Sequence, residues 1–263
     1  MMQDGGRSGA MTIVVIPTFN EAENLPALAA EILALAVPNL GLLIVDDNSP
    51  DGTGQVADTL AERFPGRIYA LHRPQKQGLG RAYLDGFGQA LAMGAALIIQ
   101  MDADFSHPPS AIPSMLQEIT GCDVVVGSRY VSGGELDERW GWWRRFLSWW
   151  ANEVWSRRLL HLKTRDITAG FKCWRRETLE GVGLGRVVCN GYAFQVEMAY
   201  LCERLQYRIT EIPIYFEDRR IGKSKMSMRV KAQGAFDVVR IWWRHRGVRR
   251  IGTPRAPTAA VRT

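Results

Sequence analysis

At 263 residues, 46% of them apolar, the chain can build a packed core as one large α/β domain or two small ones, which excludes a wholly disordered protein. Its formal charge of +6 calls for an acidic partner such as a nucleotide, a lipid phosphate, an anionic membrane or nucleic acid, but no nucleic-acid recognition motif accompanies it, so nucleic acid is not expected. Cys122, Cys173, Cys189 and Cys202 have neither zinc-type pairing nor the density of a disulfide scaffold, and read as reduced, buried thiols of a cytosolic protein.

Residues 1–11 are polar and Gly-rich without an apolar core, and predict a disordered start rather than a secretion signal. Thr12 to Ile16 is β-branched and apolar, as a central parallel strand requires, and stops at Pro17-Thr18-Phe19-Asn20-Glu21. A helix is predicted over about Ala22 to Leu35 from Leu25, Leu28, Ile32 and Leu35. The strand Leu42 to Val45 runs into Asp46-Asp47-Asn48-Ser49-Pro50-Asp51-Gly52-Thr53, a second turn-rich segment at a strand end. A helix over Gln55 to Phe64, a strand over Ile68 to Leu71, and a helix opened by Lys76-Gln77-Gly78-Leu79-Gly80 and running to about Met93 follow. The next strand ends in Gln100-Met101-Asp102-Ala103-Asp104-Phe105-Ser106-His107. This alternation implies βαβ units and a mostly parallel sheet.

Pro108 to Ile119 reads as a helix, and Val124 to Val126 as a strand ending in Gly127-Ser128-Arg129-Tyr130. The alternation then breaks. Val131 to Arg139 is a candidate mobile loop, and a helix over about Trp142 to Leu160 mixes tryptophans with Arg144, Arg145, Arg157 and Arg158, as a membrane-interface helix does. Asp166-Ile167-Thr168-Ala169-Gly170-Phe171 leads into a strand to Trp174, and Gly191 to Glu197 into a helix ending near Leu205. Tyr207 to Phe216, containing Pro213, suits an edge strand. A basic loop, Arg219 to Met226, precedes a last helix over Met228 to Trp243 and an arginine-rich tail, residues 245–263, expected to be disordered and suited to anionic lipid. No uninterrupted apolar segment approaches the ~20 residues of a spanning helix. Membrane contact is therefore expected to be peripheral, at the cytoplasmic face.

Asp102 and Asp104 carry the chemistry. Alternation in an extended chain lets both point to one side at the strand's carboxyl end, where open α/β sheets bind ligands. Two carboxylates so close repel unless a cation lies between them, and oxygen ligands suit Mg2+ or Mn2+. The simplest client for that metal is a diphosphate.

The ordered segments Ile16 to Glu21, Val45 to Thr53, Met101 to Asp104, and Gly127 to Tyr130 resemble those of family 2 glycosyltransferases. Gly78-Leu79-Gly80, Asp166 to Phe171, and Gly222-Lys223-Ser224-Lys225-Met226 narrow the resemblance to polyprenol-phosphate (dolichol-phosphate) mannosyltransferases, over about Thr12 to Arg244. The resemblance implies a glycosyltransferase A fold, with a Rossmann-like sheet, a catalytic domain over residues 12–244, and inverting transfer of mannose from GDP-mannose to a polyprenyl phosphate. Pro17, Thr18, Phe19, Glu21 and Val45 match positions around the nucleotide, Asp47 the carboxylate that meets base or ribose, and Gln77 and Gly78 the loop against the base. Asp102, Ala103 and Asp104 match the diphosphate-holding motif, with Asp104 the direct ligand of Mg2+ or Mn2+.

Arg129, Arg144, Arg219 and Lys225 match positions that contact the acceptor phosphate or the diphosphate. Relatives often place Gln as a further metal ligand two residues after the second Asp; here Ser106 stands there, with His107 next, and its shorter hydroxyl implies either ligation through water or a looser metal preference. Many relatives also carry transmembrane helices after the catalytic domain, so a membrane protein partner is an alternative route to the lipid. The rival readings are glucose transfer from UDP-glucose on the same fold and a non-catalytic nucleotide-sugar-binding subunit.

Overall fold

The computed structural model describes residues 10–137, 156–217 and 228–249. Strands β1 (Thr12–Thr18), β2 (Leu40–Asp46), β3 (Ile68–His72) and β4 (Leu97–Gln100) alternate with helices α1 (Leu25–Leu33), α2 (Thr53–Arg63) and α3 (Leu79–Ala92). After them come α4 (Ile112–Glu118), β5 (Val124–Ser128), β6 (Glu135–Leu136), a short α5 (Arg158–Leu160), β7 (Lys172–Arg175) and α6 (Arg176–Val182). The described chain closes with α7 (Gly191–Arg204), β8 (Ile209–Pro213), β9 (Tyr215–Phe216) and α8 (Met228–His245). Seven strands form one sheet in the order β3-β2-β1-β4-β7-β5-β8, parallel except for β7, which runs antiparallel to both neighbours.

Alternating β1 residues feed two cores. Val14 and Ile16 pack with α1 residues Leu25, Leu28 and Ile32 on one face. Ile13 and Val15 pack with Phe87 and Phe194 on the other, as expected of a sheet covered on both sides. Helix α3 lies close to the strands because Gly86 faces Val15: a Cβ there would stand 2.5 Å from Val15 Cγ1.

The strand order reverses between β1 and β4, since β2 and β3 were added on the opposite side. A crevice opens at such a switch point, beyond the carboxyl ends of the two strands. The β1–β4 ladder ends at the Val15 to Gln100 pair, so Pro17 lies past it and its missing N–H costs no ladder bond. The segment after β1 carries Phe19 to Glu21, and that after β4 carries Asp102 to His107, so both flank this crevice.

The structure differs from the sequence expectations in several places. Helix α1 starts at Leu25, because residues 22–24 form turns in which Asn24 and Leu25 N–H donate to the Glu21 carbonyl. The predicted helix from Pro108 becomes a 3-10 turn, Pro109–Ala111, followed by α4, since Pro109 and Pro113 withhold two N–H groups. Of the loop expected over Val131 to Arg139, residues 131–137 are described and contain β6, which pairs in parallel with β9, while 138 and 139 lie outside the described residues. The edge strand is present but breaks at Ile214, leaving β8 on the main sheet and β9 on the small one. Helix α6 was not foreseen. Helix α8 continues to His245, whose ring is buried, so the expected tail boundary at residue 245 falls inside a helix. The tryptophan-rich segment before residue 156, with Arg144, lies outside the described residues, as do Arg219, Lys225, residues 1–9 and residues 250–263.

Candidate active site

The turn after β4 folds back tightly. Phe105 adopts a left-handed backbone (φ 62°), uncommon for a bulky residue and the kind of strain that collects at functional sites. It brings Ser106 onto Asp104, whose Oδ1 accepts from the Ser106 N–H (3.1 Å) and Oγ–H (2.6 Å). Asp102 Oδ1 accepts from the Tyr83 hydroxyl at 2.5 Å. Tyr83 itself is fixed by stacking on Phe194, centroids 5.8 Å apart. Both aspartates are thus oriented by neighbours, Asp104 buried and Asp102 half-buried.

His107 completes the turn. Its Nδ1 accepts from the Asp102 N–H at 3.1 Å, and its ring stacks on Phe171, centroids 5.2 Å apart. Burial pulls its pKa below the usual histidine range, outweighing the nearby Asp102 and Asp104 charges, so the ring is neutral at physiological pH. A Cβ on Gly170 would sit 2.9 Å from the His107 ring and 3.2 Å from Asp102 Oδ2. The Asp166 to Phe171 segment therefore closes directly over the aspartate turn.

That segment also holds Arg129. Its Nε and Nη2 donate to Asp166 Oδ2 (2.8 Å) and Oδ1 (2.7 Å), its N–H donates to Oδ2 (3.0 Å), and Nη2 also reaches Thr168 Oγ1 (2.7 Å). The guanidinium lies over the Phe216 ring, 5.0 Å from its centroid, and that ring meets His107 edge-on. Arg129 and the aspartate pair are thus joined through His107 and Phe216. With the bidentate pairing to Asp166, Arg129 is a fixed, charge-compensated cation rather than a mobile arm.

At the other end of the crevice, Asp47 is buried and pairs with the Arg73 guanidinium. Arg73 also donates to Asp85 (2.7 Å) and to the Gln77 side-chain carbonyl (3.1 Å). Sequence reading missed Arg73, which directly follows β3 and has no acidic residue near it in the chain to point to its role. Lys76 Nζ stands 3.3 Å above the Phe19 ring. Glu21 N–H donates to Thr53 Oγ1, while Asp51 accepts from Ala22 and Thr53, tying the β1 and β2 loops together. Thr18 donates to Asp46 at 3.3 Å, an internal strut. Val45 and Ala103 are buried backbone framework.

Behind Asp102 lies an unforeseen polar core. Gln195 Oε1 accepts from Gln100 (2.9 Å) and from Lys172 Nζ (2.8 Å), and Lys172 is 1% exposed. Desolvation lowers the Lys172 pKa from 10.5 to about 8. Between those values the unfolded chain binds a proton that the folded one releases, so stability rises with pH across that window. Lys172→Met is expected to remove this rise. Thermal melts of both proteins at pH 7.5 and 10 would show the wild type gaining on the variant at the higher pH.

As a metal site, the pair supplies two carboxylates and a serine hydroxyl, and no cluster of three or more acidic, His or Cys ligands exists among the described residues. This set fits Mg2+ or Mn2+ held partly by substrate phosphates, the usual arrangement for Mg2+. It does not suit a metal caged by protein alone. The four cysteines are all buried and form no disulfide.

Comparison with known proteins places the chain in a family. The model of the family described as Glycosyl transferase family 2 matches residues 13–182. The chain is 44% identical over 217 residues to the polyprenol monophosphomannose synthase of Mycolicibacterium smegmatis, covering 82% of this chain and 81% of that one. It is 42% identical over 228 residues to the undecaprenyl-phosphate mannosyltransferase of Micrococcus luteus, covering 87% and 92%. Among solved structures, the fold is similar to mannosyl-3-phosphoglycerate synthase from Rubrobacter xylanophilus (TM-score 0.62, 19% identity, 90% and 75% covered). It is also similar to glucosyl-3-phosphoglycerate synthase from Mycobacterium tuberculosis, in complex with Mn2+, UDP and phosphoglyceric acid (TM-score 0.63, 17% identity, 92% and 80% covered). A doubly covered sheet, a carboxylate turn at its switch point and two long, closely matched relatives lead to one assignment: this chain is a glycosyltransferase belonging to glycosyl transferase family 2.

Proposed function

We propose that the protein transfers mannose from GDP-mannose to a polyprenyl phosphate, with inversion at the anomeric carbon. Its relatives named for mannosyl transfer to polyprenol-type phosphates support the substrate class. The observation that carries the reading is the linkage of the Asp102/Asp104 turn to Arg129 through His107 and Gly170, which puts oxygen ligands and a fixed cation at one sheet edge.

In this reading Asp104, with Asp102 and Ser106 beside it, would hold Mg2+ or Mn2+ where the donor's diphosphate binds. The metal, when bound, offsets the negative charge that grows on the departing GDP. Phe19, Glu21, Asp47, Gln77 and Gly78 receive the nucleoside, and Arg73 positions Asp47 and Gln77 by pairing with both.

An oxygen of the acceptor phosphate attacks the anomeric carbon from the face opposite GDP. The new C–O bond forms as the bond to the diphosphate oxygen breaks, and the electron pair leaves with GDP. The second pKa of a phosphate monoester lies near ~6, so the nucleophile is already ionised and no general base is required. What the site must supply is relief of repulsion between two anions. Arg129 contributes orientation and fixed charge, with Asp166 balancing it, while Arg144, Arg219 and Lys225 supply the remaining cations.

Access to a lipid acceptor falls to α8 and the tryptophan-rich segment. Helix α8 buries Val238, Ile241 and His245 and exposes Phe236, Val239 and Trp243 on its far side, with Arg240 and Arg244 beside them. That mixture suits an interface with anionic lipid. No helix of the described residues is long and apolar enough to cross a membrane.

Donor choice is tested by supplying labelled GDP-mannose or UDP-glucose with a short polyprenyl phosphate. Labelled lipid is expected from GDP-mannose. Product from UDP-glucose alone would overturn the mannose reading, and no product from either would favour a non-catalytic binding subunit.

A further inference from the structure

The turn that opens α3 is gripped by a residue more than a hundred positions away. Asn190 caps α7, its Oδ1 accepting from Gly191 N–H at 2.8 Å, and the same oxygen accepts from Gly80 N–H at 2.8 Å. Its Nδ2 donates to the Gln77 carbonyl, so one amide holds both ends of the Gln77 to Gly80 turn. Gly78 lies flat on that amide with φ 96°, where a Cβ would stand 2.5 Å from Asn190 Nδ2. On its outer side the turn is tied to Asp47 through Gln77 and Arg73.

The clasp is anchored from behind. Glu197, 0% exposed, accepts from Val188 N–H (3.0 Å) and Cys189 N–H (2.7 Å), the two residues before Asn190. Its other oxygen pairs with His245 Nε2 at 2.7 Å, near the end of α8. A sealed carboxylate is costly unless fully partnered, and here it joins the α8 helix to the backbone that carries the clasp.

We propose that Asn190, anchored by the Glu197–His245 pair, is a positioning residue for the donor nucleotide, holding the Gln77 to Gly80 turn in the shape that receives it. The inference rests on the donor reading above, in which that turn meets the nucleoside.

Asn190→Ala, His245→Leu and His245→Gln would be compared with wild type for GDP and UDP binding by calorimetry with Mg2+, thermal stability, and separate KM values for donor and acceptor. Loss of the two hydrogen bonds to the turn in Asn190→Ala, together with the Gly191 cap, is expected to weaken nucleotide binding and raise donor KM about tenfold or more. Acceptor KM should stay unchanged and kcat nearly so. His245→Leu is expected to shift donor KM in the same direction by a smaller factor, and His245→Gln, which can still donate to Glu197, to restore it. If Asn190→Ala folds poorly, the two His245 variants carry the test.

A folded Asn190→Ala with wild-type nucleotide affinity, or His245 variants that lose stability without moving donor KM, would overturn the proposal. Wild-type binding of UDP but not GDP would overturn the guanine reading while leaving the variant comparison readable with UDP. Binding of neither would overturn both.

Discussion

Asp104→Ala is expected to lower metal-dependent transfer by about three orders of magnitude, the scale on which removing a main electrostatic contact of a transition state acts. The loss should fall on kcat, because the contact strengthens as negative charge gathers on the leaving diphosphate. Truncation also strips Ser106 of its acceptor, and two buried donors left unpaired cost roughly 1–3 kcal/mol each, so the alanine variant will be less stable as well. Asp104→Asn separates the two effects. The amide oxygen still accepts from Ser106 but supplies no anionic ligand, so turnover should fall as far while the melting temperature stays close to wild type. Initial rates and thermal melts on both variants check this, and near-normal turnover in Asp104→Asn would remove Asp104 from the metal.

Asp166→Asn is expected to be the most damaging single change to stability in this region. Asp166 is fully buried and binds Arg129 by three hydrogen bonds, so losing its charge leaves a guanidinium that is 9% exposed without its balancing anion. Breaking one side of a buried pair costs about 3–5 kcal/mol, which for a chain of this size lowers the melting temperature on the order of 10 °C. Burial alone would raise the Asp166 pKa, but the Arg129 charge and hydrogen bonds overcome it and hold the carboxyl below its ordinary 3.8. A carboxylate whose pKa is depressed by folding stabilises the fold above its unfolded value. That contribution fades as pH falls through the folded value. The wild type should therefore keep a constant advantage over Asp166→Asn from pH 5 to 8 and lose it only in more acidic solution, below about pH 3.8. Denaturant titrations at several pH values check the prediction.

The parallel half of the fold was legible from residues 12–100 because hydrophobic runs of strand length alternate there with helical spacing, and turn residues such as Pro17, Asp46 and Gly94 punctuate them. The carboxylate turn was legible for the same reason: a buried strand that ends in two acids advertises its own edge. Contacts that close the site were not. Arg73 with Asp47, Asn190 with Gly80, and Glu197 with His245 join residues 26, 110 and 48 positions apart, and no local pattern encodes such pairings. The short β6 strand was missed because two residues carry no periodicity and its partner lies across the chain at Tyr215. Asp47, read as facing the nucleoside, is also half of a buried ion pair, and Arg129, read as an anion-binding arm, is already matched by Asp166. Burial and partnership are tertiary facts, so the residue types were readable while their electrostatic state was not.

The proposed reaction requires a diphosphate and a divalent ion to meet at the Asp102/Asp104 turn in front of a lipid phosphate. Its most direct test is the initial rate of label transfer from GDP-mannose to a short polyprenyl phosphate, measured after chelation and again after Mg2+ or Mn2+ is restored. Transfer should vanish with the chelator and return with the metal in the wild type, but not in Asp104→Asn. Full transfer in the chelated wild-type enzyme would contradict the account.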